Sequence, residues 1–318
     1  MTAPNRPARR RRGIQAQVDQ RRTELQAQVR AAREHFDETQ ERINARTGRN
    51  LLFAVVVGLA LGGGMILSLV FVKQLFLVIA ALLIGFGAVE LAGALRHAGR
   101  DVPRTASVIA AVLLLPVTYW LGGVGQWLGI AGAILFVTLW RLAELALGRG
   151  ARERNGLLLD LGAGAFIQLY VALLGSCAVA LTARDGGEWW TLAFLVIVVA
   201  TDVGAYASGL TFGKHPMAPR ISPKKTWEGF AGSVLAALIA GVLLAVFALG
   251  QPWWFGLILG AVLVVTATVG DLTESLIKRD LGIKDISSWL PGHGGFLDRL
   301  DSILPSAAAA YALFLLVG

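Results

Sequence analysis

Asp271, Glu274, Ser275 and Lys278 stand at i, i+3, i+4 and i+7. On a helix that spacing is one face, an acidic, hydroxyl and basic stripe able to line a cavity. Asp298 and Asp301 repeat the i, i+3 step, so their carboxylates can converge at the start of the last helix. Several carboxylates with few histidines form a hard oxygen site. Such a site suits Mg²⁺ rather than zinc, and Mg²⁺ is usually shared with substrate phosphates. Between the two groups runs Pro291-Gly292-His293-Gly294-Gly295. Its glycines let the backbone approach a ligand and present N–H groups to an anion, and His293 is placed to contact phosphate or to position Asp298. The competing reading makes these residues Asp–Lys/Arg ion pairs that only stabilise the fold.

A second stretch supplies cations. Arg220-Ile221-Ser222-Pro223-Lys224-Lys225-Thr226-Trp227-Glu228-Gly229 sets two lysines between a Ser-Pro turn and a helix start. Hydroxyl, ammonium and orphan N–H groups together form a cradle for polyphosphate. Upstream, Asp202, Tyr206 and Gly209 share a helix face at i, i+4 and i+7. Asp202 lies well within an apolar run, and a charge at that depth costs about 2.5–3.5 kcal/mol unless function or pairing explains it. Glu90 and Glu144 raise the same question and have no assignment from sequence.

The elements that must position these groups are membrane helices. The 318 residues are 55% hydrophobic and only 16% charged, with mean hydropathy +0.63. The apolar excess is concentrated in runs at about 51–72, 73–95, 106–122, 124–146, 157–182, 189–210, 228–250, 253–277 and 302–318. Each is near the ~20 residues that cross ~30 Å of hydrocarbon. The expected fold is therefore an all-α polytopic membrane protein of about nine spans, with a polar active-site cavity facing the cytoplasm. The 38 glycines fit closely approaching helices. The lone Cys177, inside an apolar run, excludes an internal disulfide and a Cys-based metal site, and reads as a packing residue.

The net charge of +8 sits mostly in residues 1–50, which hold twelve arginines against six carboxylates. This favours an anionic lipid surface as partner. Nucleic acid is not expected, because no aromatic platform or recognition fold adjoins Arg9–Arg12. Residues 1–47 read as a basic cytoplasmic arm, partly disordered and partly helical, followed by a transmembrane domain over 48–318. Residues 1–50 lack the apolar core of a signal peptide. Alternate loops are basic, at 96–104, 148–155, 213–226 and 278–285. With nine spans they share the side of the arm, which the positive-inside rule makes the cytoplasm of a multi-pass inner or plasma membrane protein.

Ser275-x-Ile277-Lys278-Arg279, Lys284-Asp285 and Leu290-Pro291-x-His293-Gly294-Gly295-Phe296-x-Asp298-Arg299-Leu300-Asp301 resemble the signature of phosphatidate cytidylyltransferases, the CDP-diacylglycerol synthases. Gly213-Lys214 and Ser222-Pro223-Lys224-Lys225-Thr226-x-Glu228-Gly229 are similar to the family as well. The likeness covers about 48–318 and is strongest over 200–302. It implies transfer of a cytidylyl group from CTP to phosphatidic acid, giving CDP-diacylglycerol and pyrophosphate. It also implies a metal centre at Asp271, Asp298 and Asp301, with Mg²⁺ and a monovalent ion such as K⁺ as the candidates. Lys278 and His293 join those aspartates as catalytic residues. Asp202, Ser222, Lys224, Lys225, Arg279, Lys284 and Arg299 are the expected substrate contacts, and a homodimer is expected. Two rivals stand beside this reading: a related enzyme with another lipid acceptor, and an ion-coupled transporter using Asp202, Asp271 and Glu274.

Overall fold

The computed structural model describes residues 62–148, 156–283, 286–287 and 295–317. The N-terminal arm, Lys284 and His293 lie outside these residues. In hydrocarbon every backbone polar group must be satisfied within its own segment, so apolar runs of this length fold as helices. The described chain gives α1 (Gly62–Phe71), α2 (Lys73–His97), α3 (Arg104–Ala146), α4 (Leu157–Thr182), α5 (Gly187–Phe212), a hairpin of β1 (Pro216–Ala218) and β2 (Ser222–Thr226), then α6 (Trp227–Phe247) and α7 (Trp253–Asp280). The short α8 (Leu297–Leu300) and α9 (Ile303–Val317) complete a last span.

Seven of these segments are long and apolar enough to cross a membrane. The 43-residue α3 would reach ~65 Å as a straight helix, about twice the hydrocarbon thickness. It is not straight. Gly122 has φ 64° and ψ −148°, backbone that favours glycine, and there the helix folds back on itself. A Cβ on Gly129 would lie 2.7 Å from Leu114 and 3.3 Å from Val117, so the two arms pack antiparallel. The runs at 106–122 and 124–146 are thus the arms of one helical hairpin.

Helix packing follows side-chain size. Gly229, Ser233, Ala237, Gly241 and Ala245 form the buried stripe of α6, while Leu235, Ile239, Leu243 and Phe247 are exposed. Small residues face protein and large apolar ones face the space lipid would occupy, the pattern that allows close helix approach in membranes. The helix ends also carry ion pairs. Arg141, 2% exposed, bridges Asp101 at 2.9 Å and Asp160 at 3.0 Å, which joins α3, α4 and the 98–103 turn. At the opposite helix ends, Lys73 pairs with Glu188 at 2.7 Å. Glu144 proves to be half-buried and accepts from Trp140 Nε1 at 2.9 Å. Cys177 is buried, in keeping with a packing role.

Candidate active site

The hairpin that carries the lysines is built from local signals. Ile221 N–H donates to Ala218 O at 3.1 Å across Pro219, and proline presets the backbone at the second position of such a turn. The strands pair antiparallel, Pro216 opposite Thr226 and Ala218 opposite Ser222, with a register shift between. Thr226 then caps α6, its Oγ1 accepting the Gly229 N–H at 3.1 Å. Glu228 clamps the hairpin base, accepting the Lys214 and His215 N–H groups at 3.1 and 3.2 Å and lying 2.5 Å from His215 Nδ1.

α7 supplies the acidic face. Lys225 Nζ reaches across from the hairpin to Asp271 Oδ2 at 2.6 Å. Two turns on, Lys278 Nζ lies between Glu274 Oε2 at 2.7 Å and Asp298 Oδ1 at 2.8 Å. Glu274 is 1% exposed, and a buried carboxylate is tolerated when such a partner compensates it. The last span meets α7 closely at Gly270, where a Cβ would sit 2.2 Å from Asp301 O. That approach brings Asp271 and Asp301 to one site. Asp298 Oδ2 accepts the Gly295 N–H at 2.6 Å, and Asp301 Oδ1 the Ser302 N–H at 2.6 Å.

These elements enclose a cavity of about 370 Å³, within the range of ligand sites. α5 lines it with Asp202, Tyr206 and Gly209, and the hairpin with Met217, Lys224 and Lys225. Gly229 and Ser233 come from α6, Thr268 and Asp271 from α7, and Asp298, Arg299, Asp301 and Ser302 from the last span. Asp202 is ten residues from the end of α5, so the cavity reaches ~15 Å inward from the hairpin end.

Of the residues singled out by sequence, Asp202, Lys224, Lys225, Asp271, Asp298, Arg299 and Asp301 line this cavity. Lys278 stands behind it and holds Asp298. Ser222 and Arg279 do not line it. Ser222 pairs with Ala218 at the turn end of the hairpin, and Arg279 Nε reaches Ile221 O at 3.4 Å, holding that tip to the end of α7. Ser233, Thr268 and Ser302 were not singled out, because isolated hydroxyls in apolar runs carry no local signal.

Among the described residues no three His, Cys, Asp or Glu side chains converge into a ready metal-ligand set. Lysines draw two of the expected aspartates aside, Lys225 at Asp271 and Lys278 at Asp298. The donors still suit a hard cation. Four carboxylates, Asp202, Asp271, Asp298 and Asp301, line one cavity, and the buried Glu274 Oε1 has no hydrogen-bond partner. Mg²⁺ is commonly held by one or two carboxylates together with substrate phosphates rather than by a full protein cage.

Residues 53–317 match the cytidylyltransferase family. The chain is 41% identical over 278 residues to the phosphatidate cytidylyltransferase of Mycobacterium bovis, an alignment covering 86% of this chain and 91% of that one. The Mycobacterium leprae phosphatidate cytidylyltransferase is 40% identical over 280 residues, 86% of this chain and 90% of its own. That of Brucella suis is 32% identical over 245 residues, 64% of this chain and 90% of the relative. Every element lining the cavity falls inside the matched stretch, and this chain belongs to the cytidylyltransferase family.

Proposed function

We propose that the chain transfers the cytidylyl group of CTP to phosphatidic acid, giving CDP-diacylglycerol and pyrophosphate. One observation carries this reading: a single cavity brings cationic Lys224, Lys225 and Arg299 together with Asp202, Asp271, Asp298 and Asp301 at the end of membrane-length helices. The relatives' shared name supports the same assignment.

In this reading Lys224, Lys225 and Arg299 bind the triphosphate. The Lys225–Asp271 pair is a resting contact that phosphate oxygens replace, because Lys225 can exchange a carboxylate for a more highly charged partner. A phosphatidate oxygen attacks the α-phosphorus in line; its new P–O bond forms as the bond to the β-phosphate oxygen breaks, and pyrophosphate leaves. No general base is required, since a phosphate monoester is already ionised near neutral pH. The protein's work is positioning and charge stabilisation on the phosphoryl oxygens. Asp271, Asp298 and Asp301 would hold Mg²⁺, which neutralises phosphate charge when bound. Lys278 keeps Asp298 oriented, and Lys278 with Arg279 balances the acidic face.

The hairpin end of the helices is proposed as the cytoplasmic end, because the basic loops at 96–104 and 213–226 adjoin it. CTP then enters from the cytoplasm, and phosphatidate from the adjacent leaflet. The arm is proposed to rest on anionic lipid. The test is purified protein in phosphatidate-containing vesicles given labelled CTP and Mg²⁺. Equal amounts of CDP-lipid and pyrophosphate are expected. Pyrophosphate release that does not depend on phosphatidate, or a CDP-lipid formed only with another lipid phosphate, overturns the acceptor assignment.

A further inference from the structure

Glu90 is an acidic residue inside α2 and is 4% exposed. Its carboxylate accepts the Phe296 N–H at 3.0 Å on Oε1 and the Leu297 N–H at 2.8 Å on Oε2, and the Ser287 hydroxyl also donates to Oε1. One turn earlier, the Phe86 ring stacks on Phe296 with centroids 4.6 Å apart. A Cβ on Gly295 would lie 2.7 Å from Glu90 Oε2 and could be housed only by moving that carboxylate off its partners. The Gly295 N–H goes to Asp298 Oδ2. Three consecutive backbone N–H groups, at 295, 296 and 297, are therefore each taken by a carboxylate: the first by Asp298 and the next two by Glu90. Removing one such acceptor leaves buried donors unmatched, a loss the backbone relieves only by moving.

We propose that Glu90 is a positioning residue for the transfer reaction: it fixes the backbone that presents Asp298 to the cavity without touching either substrate. This rests on the cytidylyl-transfer reading for its kinetic consequence, while the anchoring itself does not. Asp298 is the residue immediately after the segment that Glu90 holds, and its other oxygen receives Lys278. A shift of that segment thus moves a carboxylate that lines the cavity. Two of the three phosphate-binding cations, Lys224 and Lys225, sit on a different element and keep their contacts, while Arg299 moves with Asp298.

The experiment compares Glu90→Gln, Glu90→Asp and Glu144→Gln, a control outside the cavity, with wild type in phosphatidate vesicles, alongside amide hydrogen exchange. In Glu90→Gln, kcat is expected to fall on the order of 10- to 100-fold, with a smaller rise in KM for CTP because only Arg299 of the three phosphate contacts shares the loosened segment. Exchange should speed up over 295–301 while α5 and α6 stay protected. Glu90→Asp should lie between the two, and Glu144→Gln should match wild type. The proposal is overturned if kcat of Glu90→Gln stays within about twofold of wild type. It is equally overturned if all helices exchange faster and the folded fraction retains full specific activity, for then Glu90 serves stability alone. Should wild type itself form no CDP-lipid, the functional reading fails, and exchange alone decides: unchanged protection over 295–301 in Glu90→Gln rejects the anchor.

Discussion

Lys225 on the hairpin and Asp271 on α7 form an ion pair at 2.6 Å, closing the side of the cavity between a surface turn and a membrane helix. Both groups keep some exposure, with side chains 23% and 34% accessible, so the pair itself adds little stability. Its value lies in holding an ammonium where a triphosphate oxygen would bind. Lys225→Gln should therefore raise KM for CTP roughly tenfold or more, since a charge-assisted hydrogen bond contributes about 1.5–3 kcal/mol. Thermal unfolding should change little. An unchanged KM would remove Lys225 from the phosphate site.

Lys278 compensates two carboxylates at once, one of them the buried Glu274. Removing one partner of a buried pair costs about 3–5 kcal/mol, because it strands the other charge. Lys278→Met should lower the unfolding midpoint and abolish turnover. Glu274→Gln in the same background should recover part of the midpoint without recovering activity. A double variant that regains both would make the pair purely structural.

Asp298 and Asp301 enter the cavity from the last span and are proposed cation ligands. Asp298→Asn and Asp301→Asn should each reduce kcat by on the order of 10²–10³, the scale for losing one preorganised electrostatic group. A chelator should abolish wild-type activity and added Mg²⁺ should restore it. Full turnover in either variant, or in excess chelator, would remove the metal assignment.

The parts of this site readable from sequence are those set by short-range periodicity. Asp271, Glu274 and Lys278 share a face because the helix repeat puts them there, and Asp202, Tyr206 and Gly209 do so for the same reason. The hairpin was harder. Strand alternation sends neighbouring side chains to opposite faces, yet Lys224 and Lys225 both line the cavity, beside a register shift that periodicity does not announce. Ser222 was expected with them and instead pairs at the turn end. Glu90 showed as an anomaly, an acid in an apolar run, but its partners lie 206 and 207 positions away. No local pattern encodes such a contact. Arg141 is similar, since its buried bridge to Asp101 and Asp160 depends on how three helix ends meet. The nine apolar runs were legible as runs, whereas the fold-back at Gly122 depends on one backbone conformation.

Gly270 offers the sharpest test of how helix packing sets the chemistry. The group its Cβ would strike is the Asp301 backbone oxygen at 2.2 Å, with Pro305 Cγ at 2.9 Å, so no side-chain rotation can make room. Any substituent must push the last span away from α7, and it does so at the residue that carries a cavity carboxylate. Gly270→Val should lower kcat by about 10²-fold, as expected when a reacting geometry shifts by ~1 Å, and Gly270→Ala should lower it less. Stability should fall by about 1–3 kcal/mol, the usual cost of overpacking. KM for CTP should change least, because Lys224 and Lys225, two of its three cationic contacts, are carried by the hairpin and only Arg299 by the last span. Helical content by circular dichroism separates displacement from unfolding. If a folded Gly270→Val protein kept wild-type kcat, the Asp301 position would not limit the reaction, and the carboxylates would have to act without close approach of these two helices.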